Sequence, residues 1–200
     1  IRLGPGVLGR RGRSGLVGQG TRHGPAWGGV ERGGGGPGGG TGLTRGPEWK
    51  VEGSVAFRGR VISVRVDTVE LEGGRRGRRE VVNHPGAVAV VAVAGDEVVL
   101  VEQYRYAVGE WLLEVPAGKL EPGEDPQACA RRELEEETGF AAGRLVPLGR
   151  FYTTPGFSTE EMFAFLATGL VPGSRRPQEE EEEGLSVRRL PFGTALAMAC

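Results

Sequence analysis

Glu133, Glu136 and Glu137 are three carboxylates at i, i+3 and i+4, spacings that gather side chains on one face of an α-helix. The helix itself is legible at both ends. Asp125 followed by Pro126 is a start signal, because the carboxylate caps an orphan amide and proline at the first helical position wastes no donor. Gly139 supplies the left-handed residue that closes a helix, so the spacing predicts a helix over 126–138. Three carboxylates on one face repel each other unless water or a cation neutralises them. A Glu-rich face is by default a solvated one, and the spacing alone would leave it there. If the face holds a cation, its oxygen-only donors suit a hard ion such as Mg²⁺, which is usually shared between a few carboxylates and substrate phosphates; Mn²⁺ accepts the same ligands.

The surrounding string changes that reading. It runs Gly118, five residues, Glu124, seven residues, Arg132, Glu133 and Leu134, one residue, Glu136 and Glu137, one residue, then Gly139 and Phe140. Chance would produce it at a frequency on the order of 10⁻⁶ over a chain of this composition. It resembles a complete Nudix box. The resemblance implies Mg²⁺-dependent hydrolysis of a diphosphate joined to another group, at a metal site made by the helix carboxylates and the loop before them. Glu133, Glu137, Glu136 and the Ala117 carbonyl are the implied ligands, with Glu136 also counted among the catalytic groups. Arg132 is expected to orient the neighbouring carboxylates, Lys119 to bind substrate, and Glu124 either to reach the metals or to close the loop.

The elements that must position these groups follow a sharp change in composition. Residues 1–47 hold 19 of the 37 Gly and seven Arg against one Glu, whereas the rest carries 18 basic and 25 acidic residues, so the overall net charge of −1 conceals two unlike segments. The first has no hydrophobic periodicity, and its Gly runs at 33–36 and 38–40 cost too much backbone entropy to fold without an apolar face, so 1–47 is expected to be a disordered Gly/Arg-rich tail. It lacks an initiator Met and is built from residues that GC-rich codons specify, which fits upstream DNA read as protein. Trp27 is its only aromatic, so nucleic-acid binding is not expected. No apolar run is long enough for a signal peptide or membrane span.

Order is expected from about Trp49, with a small strand region over 48–84 and the core of the domain over 85–200. Residues 51–57, 61–71 and 80–82 read as strands, and 72–78 as a hairpin loop. The run 87–94 is apolar on both faces and suits a central buried strand, paired by a turn at Gly95 and Asp96 with a second strand over 97–104. After the box, 145–152 and 161–167 read as strands. Cys129, between two alanines on the box helix, reads as a small packing residue in a disulfide-free, cytoplasmic protein.

Gln103, Tyr104 and Arg105, the stretch 114–118, and a Pro155–Gly156 pair about fifteen residues past the box together resemble the ADP-ribose pyrophosphatase branch of the Nudix family. That resemblance covers about 49–200 and implies an α/β fold, an α/β/α sandwich around a mixed sheet, and a nucleoside diphosphate sugar as substrate. By position it places Arg105 on the diphosphate, and Thr154, Gly156 and Glu160 on the terminal ribose side. It puts the catalytic base on a mobile loop just before a strand. Glu183, the last of five successive Glu and followed by Leu185 and Val187, matches best, although the run leaves the register open. Charge runs of this kind are usually solvated loops. The N-terminal strand region in this branch commonly exchanges between two subunits, which implies a homodimer. The chain stops within what reads as an amphipathic helix from Ala195, so it is expected to be truncated there.

The implied reaction is ADP-ribose plus water giving AMP and ribose 5-phosphate. Another nucleoside diphosphate derivative is the alternative substrate class, and a non-hydrolytic nucleotide-sugar sensor is the alternative of a different kind. Degenerate box carboxylates would mark a sensor, and every one is present here.

Overall fold

The computed structural model describes residues 48–174 and 184–199. The expected tail over 1–47 and the proposed base Glu183 lie outside the described residues. Two sheets organise the rest. The smaller is a meander of three antiparallel strands, β1 (Trp49–Arg58), β2 (Ser63–Glu70) and β3 (Arg76–Asn83), in the order β1-β2-β3. Its β2–β3 turn is shorter than the sequence suggested: Arg76, Gly77 and Arg78 pair with Glu70, Val69 and Thr68, and Gly73 and Gly74 at positive φ make the bend.

The larger sheet takes β4 (Ala87–Ala94), β5 (Glu97–Arg105), β6 (Glu110–Glu114), β7 (Ala117–Lys119), β8 (Phe140–Tyr152), β9 (Glu161–Pro172) and β10 (Ser186–Pro191). Its main path is β10-β5-β4-β9-β8, with β6 paired to β5 and β7 to β4. The sheet is mixed, because β4 and β9 run parallel while every other pair is antiparallel. As its two-sided apolar pattern requires, β4 is central: Val88, Val90 and Ala92 are fully buried, beside Val99 and Val101 of β5 and Phe165 and Ala167 of β9.

Helix α1 (Pro126–Thr138) packs Cys129, Ala130 and Leu134 into this core and lies against β4, β7 and β8. Its ends form as the sequence predicts. Asp125 accepts from the amides of Gln127 and Ala128 at 3.0 and 3.1 Å, and Gly139 adopts φ 72° while donating to the Glu135 carbonyl at 2.9 Å. A short second helix, α2 (Phe192–Met198), follows β10. Two strands escaped the sequence reading. β6 and β7 are five and three residues long, too short to show a period, and β7 was hidden inside the loop of the box. β8 and β9 are also longer than predicted, starting at Phe140 and running on to Pro172, because they pair with each other from Phe140↔Pro172 onward, a partnership that neither stretch shows alone.

Candidate active site

The carboxylate face of α1 does not point into water. Glu133, Glu136 and Glu137 are 5 %, 6 % and 4 % exposed, which for three acids on one face demands organised positive charge or donors. Arg132 provides much of it. Its Nη1 donates to Glu133 at 2.8 Å and to Glu136 at 3.0 Å, while Nε and Nη2 reach both oxygens of Glu124 at 2.9 and 3.0 Å. Glu124 in turn accepts from the Glu121 amide at 3.0 Å, so this acid closes the loop before the helix. The Arg132 guanidinium holds the Glu124 carboxyl down to about 2, against a smaller opposing effect of burial. Arg132 itself is pushed further up from an already high value, chiefly by Glu124. Glu137 accepts from the Ala117 amide at 2.9 Å, which fixes β7 against the helix.

Gly118 explains why this approach is possible. A Cβ there would lie 2.0 to 2.3 Å from the carboxyl atoms of Glu133, so any other residue would force that carboxyl to shift from its present place. Cys129 is buried beneath, and burial pushes its thiol well above the usual range, consistent with packing and not reactivity.

These groups line one side of a cavity of about 700 Å³, a size suited to a nucleotide-like ligand. Ala117, Gly118, Lys119, Arg132, Glu133, Glu136 and Glu137 form the wall on the helix side. Gln103 and Arg105 come from the end of β5, and Val61, Ile62, His84, Glu160 and Met162 from opposite elements. Arg105 lines the cavity while paired with Glu114 at 2.8 to 2.9 Å. Thr154 and Gly156 sit farther out on their loop, exposed and not on the cavity wall; Glu160, at the loop's end, is the member that reaches it. Sequence reasoning missed His84, Ile62 and Met162, whose spacing carries no chemical pattern and whose convergence depends on the fold.

The donor set fits a hard divalent cation: buried carboxylate oxygens on one helix face, beside a backbone strand that approaches closely because Gly118 has no side chain. Among the described residues no three His, Cys, Asp or Glu groups converge tightly enough to enclose an ion as they stand, Arg132 and the Ala117 amide being hydrogen-bonded to them in this arrangement.

Comparison with known proteins bears on the same residues. The NUDIX domain model matches residues 82–198. The chain therefore belongs to the Nudix family. It is 43% identical over 143 residues to the ADP-ribose pyrophosphatase of Bacillus subtilis (strain 168), covering 71% of this chain and 77% of the relative. It is 44% identical over 141 residues to the methanol dehydrogenase activator of Bacillus methanolicus, covering 70% and 76% respectively. Among solved structures it resembles an ADP compounds hydrolase with a TM-score of 0.70 at 24% identity, over 79% of this chain and 85% of that one, a likeness of fold.

Proposed function

We propose that this protein is a Nudix diphosphatase that hydrolyses ADP-ribose to AMP and ribose 5-phosphate. The observation that carries the reading is the buried triad Glu133, Glu136 and Glu137 facing a nucleotide-sized cavity, in a chain similar to an ADP-ribose pyrophosphatase. Glu133, Glu137, Glu136 and the Ala117 carbonyl would hold Mg²⁺, or Mn²⁺ in its place. Bound there, such ions supply neutralisation of diphosphate charge and a more acidic attacking water.

The chain's own residues do the remainder. Arg132 keeps the helix acids in register, and Glu124 locks Arg132 from the far side. Arg105 and Lys119 meet the diphosphate, so a substrate phosphate competes with Glu114 for the Arg105 guanidinium. Thr154, Gly156 and Glu160 serve the terminal ribose side. Glu183 takes the proton of the attacking water. Support for that role comes from register: Ser186 and Val187 pair with Glu102 and Val101, so Gly184 and Leu185, just before β10, lead toward the end of β5, where Gln103 and Arg105 line the cavity. The protein acts as a homodimer in the cytoplasm; no helix among the described residues is long and apolar enough to cross a membrane.

AMP release across a panel of nucleoside diphosphate derivatives tests the substrate, with ADP-ribose expected to lead. Glu183→Gln tests the base. It should cut turnover by about 10²- to 10⁴-fold with binding retained, while Glu182→Gln changes little. Equal, small losses from both would remove Glu183 from the mechanism.

A further inference from the structure

His84 has no role in the chemistry above, yet it lines the cavity and is held there through its main chain and its Nδ1. Its amide donates to the Thr159 hydroxyl at 3.0 Å, and that hydroxyl donates to the His84 carbonyl at 3.3 Å. Val82 and Ser158 form a parallel bridge just before it, with Val82 donating to the Phe157 carbonyl at 2.8 Å and Thr159 to the Val82 carbonyl at 3.0 Å. The end of β3 and the 153–160 loop are thus one unit. The ring is fixed as well. Nδ1 accepts from the Gly86 amide at 3.1 Å, and Gly86 can turn back in this way because it sits at φ 97°.

That hydrogen bond decides the tautomer. An Nδ1 that accepts carries no proton, so the neutral ring has its proton on Nε2. The Glu160 carboxylate lies 3.6 Å from Nδ1, beyond hydrogen-bond distance. Glu160 is itself oriented by the Thr153 hydroxyl, which donates to its second oxygen. His84 and Glu160 both line the cavity, so a ring whose Nδ1 is taken by Gly86 keeps Nε2–H as its donor, close to the Glu160 carboxylate as acceptor. Adjacent hydroxyls on a sugar are each donor and acceptor at once, and such a pair satisfies one of each.

We infer that His84 is a specificity-determining residue for the sugar end of the substrate, donating Nε2–H to a hydroxyl of a vicinal diol whose neighbour donates to Glu160. The inference rests on the proposed diphosphatase reading and adds to it the residue that distinguishes a hydroxylated sugar from a bare ester. A site built to bond a hydroxyl rejects a ligand that lacks it far more strongly than an apolar pocket does.

The test compares ADP-ribose with the methyl ester of ADP, which keeps the diphosphate and omits the second sugar. His84→Asn preserves a polar atom near the Nδ1 position but removes the distant donor; His84→Gln returns an amide donor near Nε2. His84→Asn should lower kcat/KM for ADP-ribose by about 10- to 100-fold, mostly through KM, with the methyl ester within about twofold, and His84→Gln should recover part of the loss. Equal losses on both substrates would overturn the assignment. In the unmodified protein, which has only two His, ¹⁵N NMR of the imidazoles with a chelator present gives a readout independent of folding of the variants. The His84 Nε2 resonance should move with saturating ADP-ribose and stay with the methyl ester; no movement with ADP-ribose overturns the inference. Failure of the unmodified enzyme to release AMP from ADP-ribose would instead overturn the diphosphatase reading on which the inference rests.

Discussion

Arg132 and Gly118 show how much of the site depends on single residues. Arg132 holds three acids, and the effect of removing one of them has a definite pH signature. The Glu124 carboxyl falls from 4.5 to about 2 on folding because Arg132 donates to it. A depressed folded value means stability present above 4.5 and lost as pH falls toward 2. Glu124→Gln should therefore lower stability by about 1–3 kcal/mol at pH 7, and the gap to the parent should narrow below the ordinary carboxylate range. Thermal melts in EDTA from pH 7 to 3 measure this; a gap that does not change with pH would mean the pair is not what stabilises the loop. Gly118→Ala places a methyl group where the Glu133 carboxyl lies. It should cost about 1–3 kcal/mol and, by displacing an acid of the site by about 1 Å, about 10²-fold in turnover. Parent-like turnover from this variant would show that the Glu133 carboxyl moves aside without loss to the site. Arg132 was readable from the box, but Gly118 acquires its reason only when the strand is seen lying on the acid.

At the scale of elements, α1 was the most legible part of the chain. Asp125, Pro126 and Gly139 each act locally, so their signals do not depend on the rest of the fold. The apolar run of β4 was equally clear, because burial on both faces leaves no polar alternation. β6 and β7 were not, since strands of that length exist only through the neighbours they pair with. The link between β3 and the 153–160 loop was invisible for the same reason: Val82 and Ser158 are 76 positions apart, and nothing in either stretch announces the other. Thr159 is the staple of that link. Thr159→Val keeps the shape and removes the hydroxyl from the His84 main chain. The proposed placement of the loop and His84 at the sugar, away from the reacting phosphorus, predicts a KM for ADP-ribose raised severalfold with kcat nearly unchanged. Steady-state kinetics decide it; a fall in kcat with KM constant would put the loop in the chemical step.

Across the whole molecule, strands, loops and the helix converge on one cavity whose walls come from stretches far apart in the sequence. Acids arrive on α1, Gln103 and Arg105 on β5, and His84 and Glu160 from the junction of the small sheet with the loop. The sequence announced the helix side because its chemistry needs several residues at fixed spacing. The opposite wall came mainly through family resemblance, residue by residue, and His84 not at all. On this reading the acids of α1 serve a metal-dependent hydrolysis and are not a solvated or merely structural face. AMP formation from ADP-ribose by Glu137→Gln, titrated with Mg²⁺ to saturation and compared with the parent, tests this most directly, because the change preserves side-chain volume and removes one negative oxygen donor. The parent enzyme should need the metal, and the folded variant should be slower by at least about 10²-fold at every Mg²⁺ concentration; turnover close to the parent's at saturating Mg²⁺ would mean that these acids do not serve the reaction.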